Sequence, residues 1–331
     1  MRYVRLADTD LAVSRIALGC GNFGGIGSAP ELFGRGDDEQ AAFALMDAAR
    51  EQGITLFDTA NSYGGGRSEE WIGRWLASRR ARDEIVLTTK VRNRVGPGPC
   101  DEGLSAAHIR TQIEASLRRL GTDRVDLYLA HEPDPSVPIS ETLKAFDDLI
   151  RAGKVRHYGL SNFTGAQLTD ACDAAAQLGA AAPVNLQSEY SLLSRSAATD
   201  AFAVCAQRRV AFTAFSPLAG GWLTGKYRDP GVYPPGSRMT LRPEPYAGWT
   251  NDLTLQRIQA VSELASQRGV ELAELALRWA LSDPGVTAIV VGPRRPEQLA
   301  PAIAATRSAM PAELREELVR LVSGPDPTRS A

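Results

Sequence analysis

Four residues that can do chemistry stand where apolar runs stop. Leu56 and Phe57 end in Asp58, and Tyr63 follows five residues later. The run 85–89 ends in Lys90, and the run 125–130 ends in His131. Each alone has an ordinary structural reading: an aspartate caps a turn, a lysine reaches solvent, a loop tyrosine or histidine packs. Together, on consecutive strand exits, they describe a proton-transfer set. A phenol with a pKa near ~10 is a poor acid at neutral pH. A protonated Lys90 beside it favours the phenolate, and Asp58 on the lysine's other side keeps the ammonium charged and aimed. A neutral His131 can orient a carbonyl oxygen or share the proton. Tyr63 is therefore the expected general acid. A carbonyl protonated this way also needs a hydride, which none of these side chains can give, so a cofactor is implied.

Such a set needs elements that bring separate segments to one place. Eight short apolar, β-branched runs read as strands: 15–18, 55–57, 85–89, 125–130, 155–160, 184–187, 211–215 and 288–291. Helix-period runs separate them. Ile139, Leu143, Phe146, Leu149 and Ile150 share one helical face. Ser105 can cap a helix over 106–120 that Gly121 stops. Solid apolar strands alternating with helices argue for a parallel sheet covered by helices. Eight such units in one domain length favour a (β/α)8 TIM barrel; an open doubly wound sheet is the alternative that periodicity alone leaves. A hairpin over 2–13 precedes the first strand and an extra helix follows the last. Residues 1–322 are expected to form one domain, and 323–331 a disordered tail.

The chain has 331 residues, 44% hydrophobic, with a formal net charge of −2. No global field draws it to nucleic acid or anionic lipid, and no run approaches a membrane span of ~20 residues. Cys20, Cys100, Cys172 and Cys205 are scattered without a CxxC pair, and the three histidines have no metal-ligand spacing. A reduced, cytoplasmic protein without structural zinc is expected. Two segments break the helical pattern, 24–36 and 219–251, and loops of that length are commonly functional. The second holds Trp222, Tyr246 and Trp249 and reads as a lid. No GxGxxG follows a strand. A better anion site is GPRRPEQL, where Arg294 and Arg295 precede Pro296 at a helix start.

Seven segments in order, FDTANSYGGGRSEE, VLTTKV, DLYLAHEPDP, YGLSNF, NLQSEYSLL, FSPLAGGWLTGKY and GPRRPEQL, resemble the aldo-keto reductase family, closer to the branch of the potassium-channel β subunits than to the aldose-reductase branch. The resemblance implies the same barrel and a catalytic tetrad of Asp58, Tyr63, Lys90 and His131. It implies that Ser161, Asn162 and Gln187 hold the nicotinamide carboxamide, that Phe215 stacks on the ring, and that Gly21, Asn22 and Asp58 lie near it. Ser216, Leu218, Gly220 and Lys226 would clamp the pyrophosphate beside Gly292. Arg238 and Arg294 match 2′-phosphate contacts, which favours NADPH, and Gln298 matches an adenosine contact. Where relatives often continue PEQL with Glu-Asn, this chain has Pro301 and Ala302. Loop position nominates Phe23, Phe33, Trp222 and Trp249 for the substrate pocket.

The expected function is reduction of a small-molecule aldehyde, ketone or sugar-like carbonyl by NADPH. Two other readings accompany it. One is a non-catalytic, redox-sensing NADP(H)-binding subunit, a branch that can lose the tetrad histidine. The other is a barrel lyase forming a Schiff base on Lys90, which needs a lowered lysine pKa.

Overall fold

The computed structural model describes residues 1–98, 101–229 and 231–323, with only the backbone of residues 196–199. Strands β1 (Tyr3–Arg5) and β2 (Ala12–Ser14) pair antiparallel as a hairpin. Eight parallel strands follow: β3 (Ile16–Gly19), β4 (Leu56–Asp58), β5 (Val86–Val91), β6 (Val125–Ala130), β7 (Val155–Ser161), β8 (Asn185–Glu189), β9 (Ala211–Phe215) and β10 (Ala288–Val291). They are hydrogen-bonded in chain order, and β10 pairs with β3 to close the barrel. Closure excludes the open sheet.

Helices α1 (Glu39–Glu51), α2 (Arg67–Arg79), α3 (Ala106–Leu120), α4 (Ile139–Arg151), α5 (Gly165–Leu178) and α6 (Ser196–Arg208) each follow a barrel strand. The capping chemistry sets their ends. Ser105 accepts from the His108 amide at 3.3 Å, and Gly121 terminates α3 at φ 62°. After β9 come the short α7 (Arg238–Leu241), then α8 (Asp252–Gln267) and α9 (Leu272–Leu281). After β10 come α10 (Ala300–Ala305) and α11 (Ala312–Ser323), and α11 packs against α8. Ser323, expected to open the tail, closes α11; residues 324–331 lie outside those described.

Two apolar cores result. The larger lies between the strands and the helices and holds Trp75, Phe146, Tyr158 and Trp279. The smaller fills the barrel floor: Leu6, Leu11 and Val13 of the hairpin segment cover Ala17, Leu56, Leu127, Leu129 and Ala288. The hairpin thus plugs one end, and the C-terminal strand ends remain for chemistry.

Candidate active site

Register decides which side chains meet. Gly19, Asp58 and Thr88 lie side by side on β3, β4 and β5. Lys90 is two residues beyond Thr88, so by the strand alternation it faces the same way, into the barrel mouth. Thr89 faces outward and donates to Glu69 of α2 at 2.5 Å. His131 follows β6 directly, and its amide donates to the Val91 carbonyl. Tyr63 sits on a single turn, Tyr63–Gly66, before α2. That turn approaches the segment after β3 so closely that a Cβ on Gly64, at φ 59°, would meet the Phe23 carbonyl oxygen at 2.5 Å.

The four residues converge. Lys90 Nζ donates to Asp58 Oδ2 at 2.7 Å, to the Thr59 carbonyl at 2.9 Å and to Tyr63 Oη at 3.4 Å. His131 Nε2 lies 3.4 Å from Tyr63 Oη on its other side. Gln187 donates to the second Asp58 oxygen at 2.9 Å. Lys90 is only 1% exposed, so its charge is held by partners rather than by water.

The electrostatics follow from that burial. Desolvation pulls the Lys90 ammonium down, but Asp58 and Tyr63 outweigh it and its pKa rises. Burial raises the Tyr63 phenol, and the nearby Lys90 charge offsets only part of the rise. The expected depression of the phenol is therefore corrected here: desolvation wins, and Tyr63 holds its hydrogen at neutral pH. Burial, then the charges of Lys90 and Arg92, hold His131 well below the ordinary imidazole range, so it is neutral.

Around this centre the backbone is strained. Arg92, Asn162, Ser216 and Ala219, all at or just past the ends of β5, β7 and β9, carry φ of 141°, 63°, 52° and 51°. Strain of this kind persists where surrounding structure over-determines it. Ser161 and Gln187 are paired across β7 and β8, and Asn162 donates to the His131 carbonyl at 3.0 Å. Phe215 is half-buried at the end of β9. The Gly21 backbone lies against the Tyr63 ring. Asn22 reaches Gly292 O at 3.4 Å and accepts from Arg238 at 2.9 Å.

Beside these residues lies a cationic cradle of Lys226, Arg238 and Arg294. Desolvation and mutual repulsion lower Lys226 and Arg238. Asp37 is the carboxylate that meets the cradle, on Arg294 Nε at 2.9 Å. The turn through Leu218 and Gly220 folds against Tyr246, and a Cβ on Gly220, at φ 63°, would strike that ring at 2.5 Å. Crowded cations beside glycine-rich backbone suit a multiply charged phosphate ligand. Gln298 is partly committed elsewhere: its Oε1 accepts from the Arg294 amide at 2.8 Å and the Arg295 amide at 3.2 Å, so its NH2 is the end left for a ligand.

Two of the four aromatics nominated for the substrate pocket turn inward. Trp222 is 1% exposed and packs edge-on against Tyr227 and Tyr233, as the core of its own loop. Phe23 is 1% exposed in the larger core. Phe33 lies over Gly25 and Gly65, and Trp249 leans on Tyr246, both half-buried. Two polar residues that the sequence did not single out stand at the mouth instead. Asn93 Nδ2 is 3.3 Å from His131 Nδ1 and donates to Ser28 Oγ at 3.2 Å. Their only sequence signal is place: Asn93 is three residues after Lys90, and Ser28 lies in the long segment after β3.

The aldo/keto reductase family model matches residues 15–321. The chain belongs to this family. It is 37% identical over 334 residues to the uncharacterized oxidoreductase YrpG of Bacillus subtilis (strain 168), spanning 98% of this chain and 97% of that protein. It is 36% identical over 307 residues to a probable voltage-gated potassium channel subunit beta of Arabidopsis thaliana, spanning 90% and 89%. It is 33% identical over 276 residues to the L-glyceraldehyde 3-phosphate reductase of Escherichia coli (strain K12), spanning 81% and 79%. Among the described residues, no helix is long and apolar enough to cross a membrane and no cluster of ligands could hold a metal.

Proposed function

We propose that this aldo/keto reductase reduces an aldehyde or ketone with NADPH, and that Tyr63 delivers the proton. The observation that carries the reading is the buried Lys90 ammonium held between Asp58 Oδ2 at 2.7 Å and Tyr63 Oη at 3.4 Å. NADPH, when bound, supplies the hydride to the carbonyl carbon. The protein's part is to hold the carbonyl oxygen near Tyr63 and give it a proton as it gains negative charge. An alkoxide is more basic than a phenolate, so the transfer runs downhill even from a phenol made less acidic by burial. The phenolate left behind faces the Lys90 charge, which stabilises it in a desolvated site. Ser161, Asn162, Gln187 and Phe215 would seat the nicotinamide. Ser216, Leu218, Gly220 and Lys226 would take the pyrophosphate beside Gly292, and Arg238 with Arg294 the 2′-phosphate.

The lyase reading loses support because Lys90 is kept charged and so is not a nucleophile. The sensing reading retains one, since potassium channel β subunits are among the relatives. The neutral His131 beside Tyr63 favours turnover. The test follows NADPH absorbance with aldoses, aromatic aldehydes and pyridoxal. Sustained, multiple-turnover oxidation with at least one aldehyde supports the reductase. Tight NADPH binding with no oxidation by any of them supports the sensor.

A further inference from the structure

We infer that Asn93, held by Ser28, is a positioning residue that fixes the tautomer of His131 and thereby directs the Tyr63 hydrogen at the substrate. Four contacts carry this: Ser28 Oγ to Ser62 Oγ at 2.7 Å, Asn93 Nδ2 to Ser28 Oγ at 3.2 Å, Asn93 Nδ2 to His131 Nδ1 at 3.3 Å, and His131 Nε2 to Tyr63 Oη at 3.4 Å.

An amide NH2 has two hydrogens and no lone pair to offer. With the amide oriented this way, one hydrogen goes to Ser28 and the other to His131 Nδ1, so Nδ1 must present its lone pair. A neutral imidazole carries a single N–H, and here it sits on Nε2. An imidazolium would set an N–H against an N–H at Nδ1. It would also face the charges of Lys90 and Arg92, which lie close enough to act on the ring.

The consequence falls on Tyr63. Its oxygen accepts from Lys90 Nζ on one side and from His131 Nε2–H on the other. A phenol oxygen has two lone pairs, and both are then taken. Its hydrogen is left facing the mouth, where a carbonyl oxygen arrives. In the opposite tautomer Nε2 would be an acceptor. It would draw the Tyr63 hydrogen away from the substrate and take one donor from the Tyr63 oxygen as it becomes a phenolate. The segment carrying Ser28 therefore reaches the chemistry through two side chains without touching the reacting atoms.

The tautomer claim stands on this geometry alone; its effect on rate rests on the reductase reading. The experiment is 15N NMR of the imidazoles in the full chain at neutral pH, with His131→Gln identifying one resonance pair among the three histidines. The proton is expected on Nε2 of His131. Asn93→Asp places an acceptor opposite Nδ1 and should move the proton there. In that variant aldehyde turnover should fall about tenfold or more, with NADPH affinity and thermal unfolding unchanged. Ser28→Ala should produce a smaller loss in the same direction. A proton on Nδ1 of the unaltered protein, or His131 resonances unmoved by Asn93→Asp, would overturn the inference. A protein that turns over no aldehyde contradicts the reductase reading, while the resonances still decide the tautomer.

Discussion

At the scale of single residues, burial governs the ionisation states. Tyr63 is raised above the ordinary phenol value of 10.0, and His131 lies well below the ordinary imidazole value of 6.5. Between those two values both stay in the form that the proposed reduction needs. The kcat for the proposed reduction should be level across that interval, declining above it as Tyr63 loses its proton and well below it as His131 gains one; a decline centred inside it would contradict the assignment. Stability has its own sign. His131 is neutral when folded and titrates near 6.5 when unfolded, so the unfolded chain binds more protons on acidification. Its contribution is complete above 6.5 and is lost as the pH falls toward the folded value. Thermal unfolding of His131→Gln should therefore show a smaller acid-side loss than the unaltered protein.

The Asp58–Lys90 pair belongs to the same scale. Lys90→Met leaves a buried carboxylate whose remaining side-chain partner is Gln187. Urea unfolding should register a loss of about 3–5 kcal/mol. The double variant with Asp58→Asn should recover a large part of it, because the uncompensated charge is gone. A double variant as unstable as Lys90→Met would mean that packing, not charge, sets the cost.

At the scale of elements, the strand ends deliver Asp58, Lys90 and His131, a turn delivers Tyr63, and the loops shape what surrounds them. The loop after β9 supplies Lys226 and Arg238, and the turn after β10 supplies Arg294. Replacing both arginines with alanine should shrink the preference for NADPH over NADH, measured as the ratio of their dissociation constants. An unchanged ratio would place the 2′-phosphate elsewhere. Gly220→Val forces a side chain against the Tyr246 ring at a left-handed φ of 63°. It should weaken NADPH binding about tenfold or more while leaving the far-UV circular dichroism of the barrel unchanged. Equal affinity in this variant would show that the loop does not close over the cofactor.

The elements also show where sequence reading works and where it stops. The barrel strands and the helices that follow them are legible because burial on both faces imposes solid apolar runs, and helices impose a second period. Asp58, Lys90 and His131 were visible because each interrupts such a run. Segments 24–36 and 219–251 have no period to read. An aromatic such as Trp222 in such a loop, or Phe23 just before one, can face the ligand or the interior of its own fold, and pattern does not distinguish them. Here the interior won, since Trp222 had Tyr227 and Tyr233 to pack against. Asn93 and Ser28 escape sequence reading for the same reason: a polar loop residue looks alike whether it meets water or the ring of His131. The rise of the Tyr63 phenol is not legible in the sequence, because proximity to Lys90 can be read from order whereas desolvation needs the enclosing structure.

At the scale of the whole molecule, the barrel has two ends with different tasks. The hairpin seals the floor with Leu6, Leu11 and Val13. The opposite end gathers side chains from segments far apart in the chain, and holds them through parallel register rather than through local sequence. The central claim is that Tyr63 gives the proton while cofactor binding is handled by other residues. Its most direct test compares Tyr63→Phe with the unaltered protein in two measurements, aldehyde turnover and NADPH affinity by fluorescence quenching. Turnover should fall by about 10²–10⁴ with affinity nearly unchanged. Turnover that survives the loss of the hydroxyl, or affinity that falls as far as the rate does, would contradict the account.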